Sequence, residues 1–217
     1  MRKRFDLSLY VITDRRLSLG RSSEEIVERA IAGGATVIQL REKELSDRQL
    51  YEEGLRIKEI IGTRDVLFVV NDRVDLALAL DADGVHLGQD DLPLGVARRL
   101  LGENRIIGVS VQTPEEAQEA EREGADYLAA SGVFPTTTKP DVGAVLGIPG
   151  LKRIREATSL PLVAIGGINL ANVKEVIGAG ADGIAVVSAV TTASDVTARC
   201  RELLSLVKRA KEERVES

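Results

Sequence analysis

Gly180-Ala181-Asp182-Gly183-Ile184-Ala185-Val186-Val187 carries the pattern that decides the fold: a glycine that stops a helix, two small residues, then a short aliphatic run. The pattern stands, with variations, at Gly34-Ala35-Thr36, Ala82-Asp83-Gly84 and Gly124-Ala125-Asp126. Eight Val- and Ile-rich runs alternate with amphipathic segments, at 7–13, 37–41, 66–72, 84–89, 105–111, 127–134, 160–167 and 183–190. They lack the in/out polarity of half-exposed strands, as expected for parallel strands covered on both faces. The four repeats precede runs two, four, six and eight, so the period is two βα units. Fourfold repetition of such a unit closes naturally into a ring, and a doubly wound open sheet has no reason for it. The expectation is an α/β fold, a single (β/α)8 TIM barrel over residues 1–217. No linker or low-complexity tract divides the chain, and the charged tail from about 209 is expected to fray.

The intervening helices have legible starts. Ser22 with Glu25, Ser46 with Gln49 and Thr113 with Glu116 each fit a capping box, and Pro114 takes the favoured first helical position. Only 3% of the 217 residues are aromatic and none is Trp, so the core must be aliphatic. The formal charge of −5 argues against a nucleic-acid or anionic-membrane surface. No run approaches the ~18–20 apolar residues of a membrane helix, and the basic start lacks a signal peptide's apolar region. Cys200, the only cysteine, excludes an internal disulfide framework and reads as an inert small hydrophobe. A cytoplasmic protein is expected; homo-oligomerisation is left open.

In such barrels the chemistry sits at the carboxyl ends of the strands. Strand two ends Gln39-Leu40-Arg41-Glu42-Lys43, and a period of two puts Gln39, Arg41 and Lys43 on one side. Unpaired buried cations are costly, so an anion should meet them; pairing with Glu42 or Glu44 is the plainer alternative. Asp72 and Asp91, after strands three and four, suit Mg²⁺, which takes one or two carboxylates plus phosphate oxygens. Asp is also a common helix N-cap, and Asp72 or Asp90 could be simply that. Thr136-Thr137-Thr138-Lys139 favours phosphate or is an ordinary Thr-rich turn. Gly166-Gly167 and Val187-Ser188 end strands seven and eight, where these barrels often bind phosphate. His86, the only histidine, is expected to pack inside strand four.

These residues, together with Val70-Asn71-Asp72-Arg73, Gly84-Val85-His86-Leu87-Gly88-Gln89-Asp90-Asp91, Phe134-Pro135 and Ile165-Gly166-Gly167-Ile168, resemble thiamine-phosphate synthases in order and approximate spacing, from Leu9 to about Ala189. The resemblance implies a transferase joining 4-amino-5-hydroxymethyl-2-methylpyrimidine diphosphate to a thiazole phosphate, or its carboxylated form. Pyrophosphate leaves through a pyrimidine methylene cation, and thiamine phosphate forms. It implies that Gln39, Leu40, Arg41, Glu42, Lys43, Asn71, Ser110 and Lys139 contact the pyrimidine diphosphate, with Arg41, Lys43, Lys139 and Ser110 catalytic. Asp72 and Asp91 would hold one Mg²⁺, and Thr136, Thr137, Thr138, Gly167, Val187 and Ser188 the thiazole phosphate. Two places depart from the family: Ser131-Gly132 replaces its usual Gly-Pro, and Gln112 stands where a histidine is more frequent. A related thiazole tautomerase, a phosphate sensor on a degenerate barrel and a phosphosugar isomerase are the alternatives. Against them stand the retained Asp72 and Thr-rich loop, the complete set of cations and carboxylates, and the lack of an acid/base pair.

Overall fold

The eight aliphatic runs each hold one strand: β1 (Leu9–Ile12), β2 (Val37–Leu40), β3 (Leu67–Asn71), β4 (Gly84–Leu87), β5 (Ile106–Val111), β6 (Tyr127–Ser131), β7 (Leu162–Ile165) and β8 (Gly183–Val186). The computed structural model describes residues 5–138 and 144–215. All eight strands are parallel and paired in chain order, and β8 returns to β1 to close the barrel. Around them pack α1 (Ser23–Ala32), α2 (Asp47–Ile61), α3 (Val74–Ala79), α4 (Leu94–Leu101), α5 (Pro114–Arg122), α6 (Gly147–Ala157), α7 (Val173–Gly178), α8 (Ser188–Thr191) and α9 (Val196–Val215). Ser46 and Gln49 close a full capping box, whereas Ser22 and Thr113 only accept the N–H of Glu25 and Glu116. The Glu116 carboxylate turns instead to the Gln112 N–H, at 2.6 Å.

The repeat has a specific structural job. Its first residue takes positive φ to end the helix: Gly34 at 95°, Gly124 at 92°, Gly180 at 105°, and Asp81 at 48° in the variant copy. Its alanine (Ala35, Ala82, Ala125, Ala181) is buried. The third residue clasps the start of the preceding strand. The N–H groups of Thr36, Asp83, Asp126 and Asp182 donate to the carbonyls of Leu9, Phe68, Ile107 and Leu162. Their side-chain oxygens accept the N–H groups of those same four residues at 2.8–3.1 Å. Each odd strand is thereby tied to the even strand after it, which explains the period of two βα units.

Alternation along the strands makes two cores. Leu9, Val11, Ile38 and Leu40 face the helices, while Tyr10, Ile12, Val37, Val69, Tyr127, Val163 and Ala185 fill the barrel. Tyr127 fits because β5 offers Gly108 beside it; a Cβ there would lie 2.0 Å from the tyrosine Cζ. α9 continues to Val215. Ala210 is buried, Lys211 donates to Ser8 Oγ at 2.7 Å, and Arg214 donates to the Ile177 and Ala181 carbonyls. Charge alone marked the tail as solvated, but its long side chains reach backbone acceptors at the foot of the barrel. Among the described residues, no helix is long and apolar enough to cross a membrane.

Candidate active site

The cavity at the carboxyl ends of the strands is lined by Gln39, Arg41, Asn71, Ser110, Thr136, Thr138, Gly167, Val187 and Ser188, with an apolar floor that includes Ile12, Val163 and Ile165. Lys43, Asp72 and Asp91 stand beside this cavity, and Thr137 is exposed. Leu40 points the other way, into the helix layer, where its methyl lies near Gly54. Glu42 also turns from the mouth: its carboxylate accepts the Arg15 N–H and the Ser23 hydroxyl, both at 3.1 Å, and burial pushes its pKa up. Lys139 lies outside the described residues.

One wall is electrostatic. Arg41, only 12% exposed, pairs with the buried Asp14 at 3.3 Å, not with Glu42 or Glu44. Lys43 Nζ lies 3.9 Å from Asp72 Oδ2. Asp72 caps no helix; α3 begins beyond Arg73 without a side-chain cap. Instead its carboxyl meets that of Asp91 at hydrogen-bonding range, and burial, then Asp91, push it up to about 6. Asp91 is held in place by the Gly88 N–H at 2.6 Å. Asp72 itself sits at φ 61°, a conformation that Asp and Asn tolerate better than bulkier residues. Among the described residues no group of three His, Cys, Asp or Glu could hold a metal. Two facing carboxylates nevertheless match the oxygen donors that a hard cation such as Mg²⁺ would take from a protein.

The opposite wall is built for close approach. Gly166 and Gly167 take φ of 104° and 64°, and a Cβ on Gly167 would lie 2.6 Å from the Pro135 carbonyl oxygen. Thr138 Oγ1 meets Ser188 Oγ at 3.3 Å, and the Thr138 N–H donates to Thr136 Oγ1. Ser188 opens α8 directly after β8, so its N–H has no intrahelical acceptor and stays available to an anion.

The profile of the family described as thiamine monophosphate synthase matches residues 9–190. The chain belongs to this family. The thiamine-phosphate synthase of Chloroflexus aurantiacus is 56% identical over 93% of both chains. That of Pyrococcus abyssi is 55% identical over 93% of this chain and 95% of its own. A solved thiamine phosphate pyrophosphorylase from Pyrococcus furiosus superposes with a TM-score of 0.86, at 49% identity over 94% of this chain and 97% of that one. The protein is thus an enzyme of the transferase class, in thiamine biosynthesis.

The departure from the family pattern at Ser131-Gly132 has a conformational basis. Gly132 takes φ 77°, which a proline ring forbids, and a Cβ on Gly166 would lie 2.8 Å from the Gly132 Cα. The family resemblance also passed over a buried polar chain beneath the mouth. Gln39 Nε2 donates to Tyr10 Oη at 2.7 Å, and Tyr10 Oη meets Tyr127 Oη at 2.9 Å. Tyr127 Oη meets His86 Nδ1, and His86 Nε2 meets Ser110 Oγ, both at 2.9 Å. His86 is buried as expected, yet it lines the cavity. Strand parity was the signal for Tyr10 and Tyr127, since both register with inward-facing neighbours.

Proposed function

We propose that this mouth joins 4-amino-5-hydroxymethyl-2-methylpyrimidine diphosphate to a thiazole phosphate, giving thiamine phosphate and pyrophosphate by a dissociative displacement; from the carboxylated thiazole phosphate, CO2 leaves as well. The observation that carries the reading is a cavity with Arg41 on one side, beside Lys43, Asp72 and Asp91, and Gly167, Thr138 and Ser188 on the other. Diphosphate suits the first wall, where Arg41 and Lys43 offset the charge that grows on the leaving group. Asp72 and Asp91 would hold Mg²⁺, which when bound supplies further positive charge to the diphosphate oxygens. The thiazole phosphate suits the second wall, with the Ser188 N–H and the Ser188 hydroxyl as donors, since Thr138 Oγ1 donates to Ser188 Oγ.

The electron count suits this inventory. The methylene C–O bond breaks and its pair leaves with pyrophosphate. The thiazole nitrogen lone pair then forms the new C–N bond. No proton has to be abstracted in these two steps, so a mouth without an acid/base pair suffices. Ile12, Val163 and Ile165 keep water from the methylene cation while it exists.

The test is the rate of thiamine phosphate formation with each substrate varied in turn and Mg²⁺ present. Arg41→Ala should raise KM mainly for the pyrimidine diphosphate. Gly167→Val, which drives side-chain atoms into the backbone of Phe134 and Pro135, should raise it mainly for the thiazole phosphate. No product from the wild type, or equal effects on both substrates in both variants, would overturn the reading.

A further inference from the structure

The buried chain of Gln39, Tyr10, Tyr127, His86 and Ser110 links residues on β2, β1, β6, β4 and β5 into one hydrogen-bonded path, with each of its two ends on the cavity. Such a path has a direction, because each hydroxyl has one proton and a neutral imidazole has one N–H. Burial pushes the pKa of both tyrosines up, so both hydroxyls keep their protons. Gln39 Nε2 donates to Tyr10 Oη, so the Tyr10 proton goes on to Tyr127 Oη. The Tyr127 proton then goes to His86 Nδ1, and the imidazole N–H is on Nε2, donating to Ser110 Oγ.

The consequences appear at the two ends. Gln39 has committed one amide hydrogen to Tyr10, and its side-chain Oε1 accepts from no described residue, which leaves Oε1 as the acceptor offered to a ligand. Ser110 Oγ already accepts from His86, so its own hydrogen is offered as a donor. Turning the Gln39 amide over reverses every bond in the path: the imidazole hydrogen moves to Nδ1, Ser110 offers a lone pair, and Gln39 offers N–H. Only these two orders satisfy every member with a neutral imidazole, and they present opposite faces to the cavity.

We propose that Tyr10, Tyr127 and His86 are positioning residues that set this direction, so that Gln39 accepts and Ser110 donates, selecting a 4-aminopyrimidine over its 4-oxo counterpart. An aminopyrimidine edge carries an amine donor beside a ring-nitrogen acceptor, and the oxo form carries the reverse. The substrate class rests on the function proposed above; the direction of the path does not. A site whose buried groups are left facing like groups rejects the wrong analogue strongly, and each reversed contact is worth about 10–100-fold.

His86 is the only histidine in the chain, so ¹⁵N-histidine labelling gives a single imidazole to observe. In the wild type at neutral pH, Nδ1 should show the shift of an unprotonated nitrogen and Nε2 that of an N–H. The opposite tautomer, or hydrogens on both nitrogens, would overturn the proposal. Activity supplies the second arm: kcat/KM for the 4-amino diphosphate and for its 4-oxo analogue, in wild type, Tyr127→Phe and Tyr10→Phe. Removal of either hydroxyl should cut the preference for the amino substrate by about 10–100-fold in variants whose melts show a folded barrel. A purely structural role would lower both rates alike, and an unchanged preference in both variants would refute the selection. If the wild type forms no thiamine phosphate, the proposed function fails, while the tautomer measured on the same protein still decides the direction of the path.

Discussion

Replacing Asp72 by Asn should stabilise the free protein at pH 8 while removing most of its activity. The carboxyl of Asp72 is pushed up to about 6 by burial and by Asp91, against an ordinary value of 3.8. Its folded value lies above its unfolded value, so ionisation opposes folding. That penalty is absent below about pH 4, grows as pH rises through 4 to 6, and is complete above 6. A shift of about two units corresponds to ~3 kcal/mol at most. The side chain is 30% exposed and Lys43 stands 3.9 Å away, so solvent and the ammonium reduce this. The expected gain for Asn is therefore about 1–2 kcal/mol. Asn also tolerates the φ of 61° at this position. For a chain of this length, that is a rise in Tm of about 2–8 °C. The assay is a set of thermal melts of wild type and Asp72→Asn between pH 4 and 8, with and without Mg²⁺, beside initial rates. The difference in Tm should vanish near pH 4, and Mg²⁺ should raise the wild-type Tm more than the variant's. An equal or lower Tm for Asp72→Asn at pH 8, or near-normal turnover, would refute the reasoning.

Asp126→Ala should lower stability by about 1–3 kcal/mol, because it leaves the Ile107 N–H, now 2.8 Å from the carboxylate, without that acceptor and removes the charge partner that Arg98 meets at 2.6 Å; urea denaturation of both proteins checks it. Cys200 is fully buried, and burial pushes its thiol up to about 12, so a thiol reagent at pH 8 should label it only at the rate of unfolding. Rapid labelling of the native protein would contradict that.

The barrel was legible in the sequence because its parallel strands are buried on both faces, which turns each into an uninterrupted aliphatic run. The clasping residues Thr36, Asp83, Asp126 and Asp182 could be seen as a repeat, but their partners at the starts of the preceding strands could not. Parity along β2 correctly separated Gln39 and Arg41 from Leu40 and Glu42, which leave the mouth for the helix layer and the β1–α1 loop. Parity does not tell which distant residue arrives opposite. Asp14 meets Arg41 only because β1 and β2 pair in this register, and Tyr10 meets Tyr127 across 117 positions only because the barrel closes. Burial of His86 was foreseeable from its strand, whereas its hydrogen bonds to Tyr127 and Ser110 depend on β6 and β5.

The central claim is that one mouth binds both substrates and couples loss of pyrophosphate to formation of the C–N bond. The most direct measurement is a single-turnover reaction with enzyme in excess over the pyrimidine diphosphate, quenched at intervals, with thiamine phosphate and pyrophosphate both quantified. With Mg²⁺ and the thiazole phosphate present, the account predicts the two products in a one-to-one ratio, and neither in excess chelator. Pyrophosphate released without thiamine phosphate, or undiminished turnover in the chelator, would contradict it.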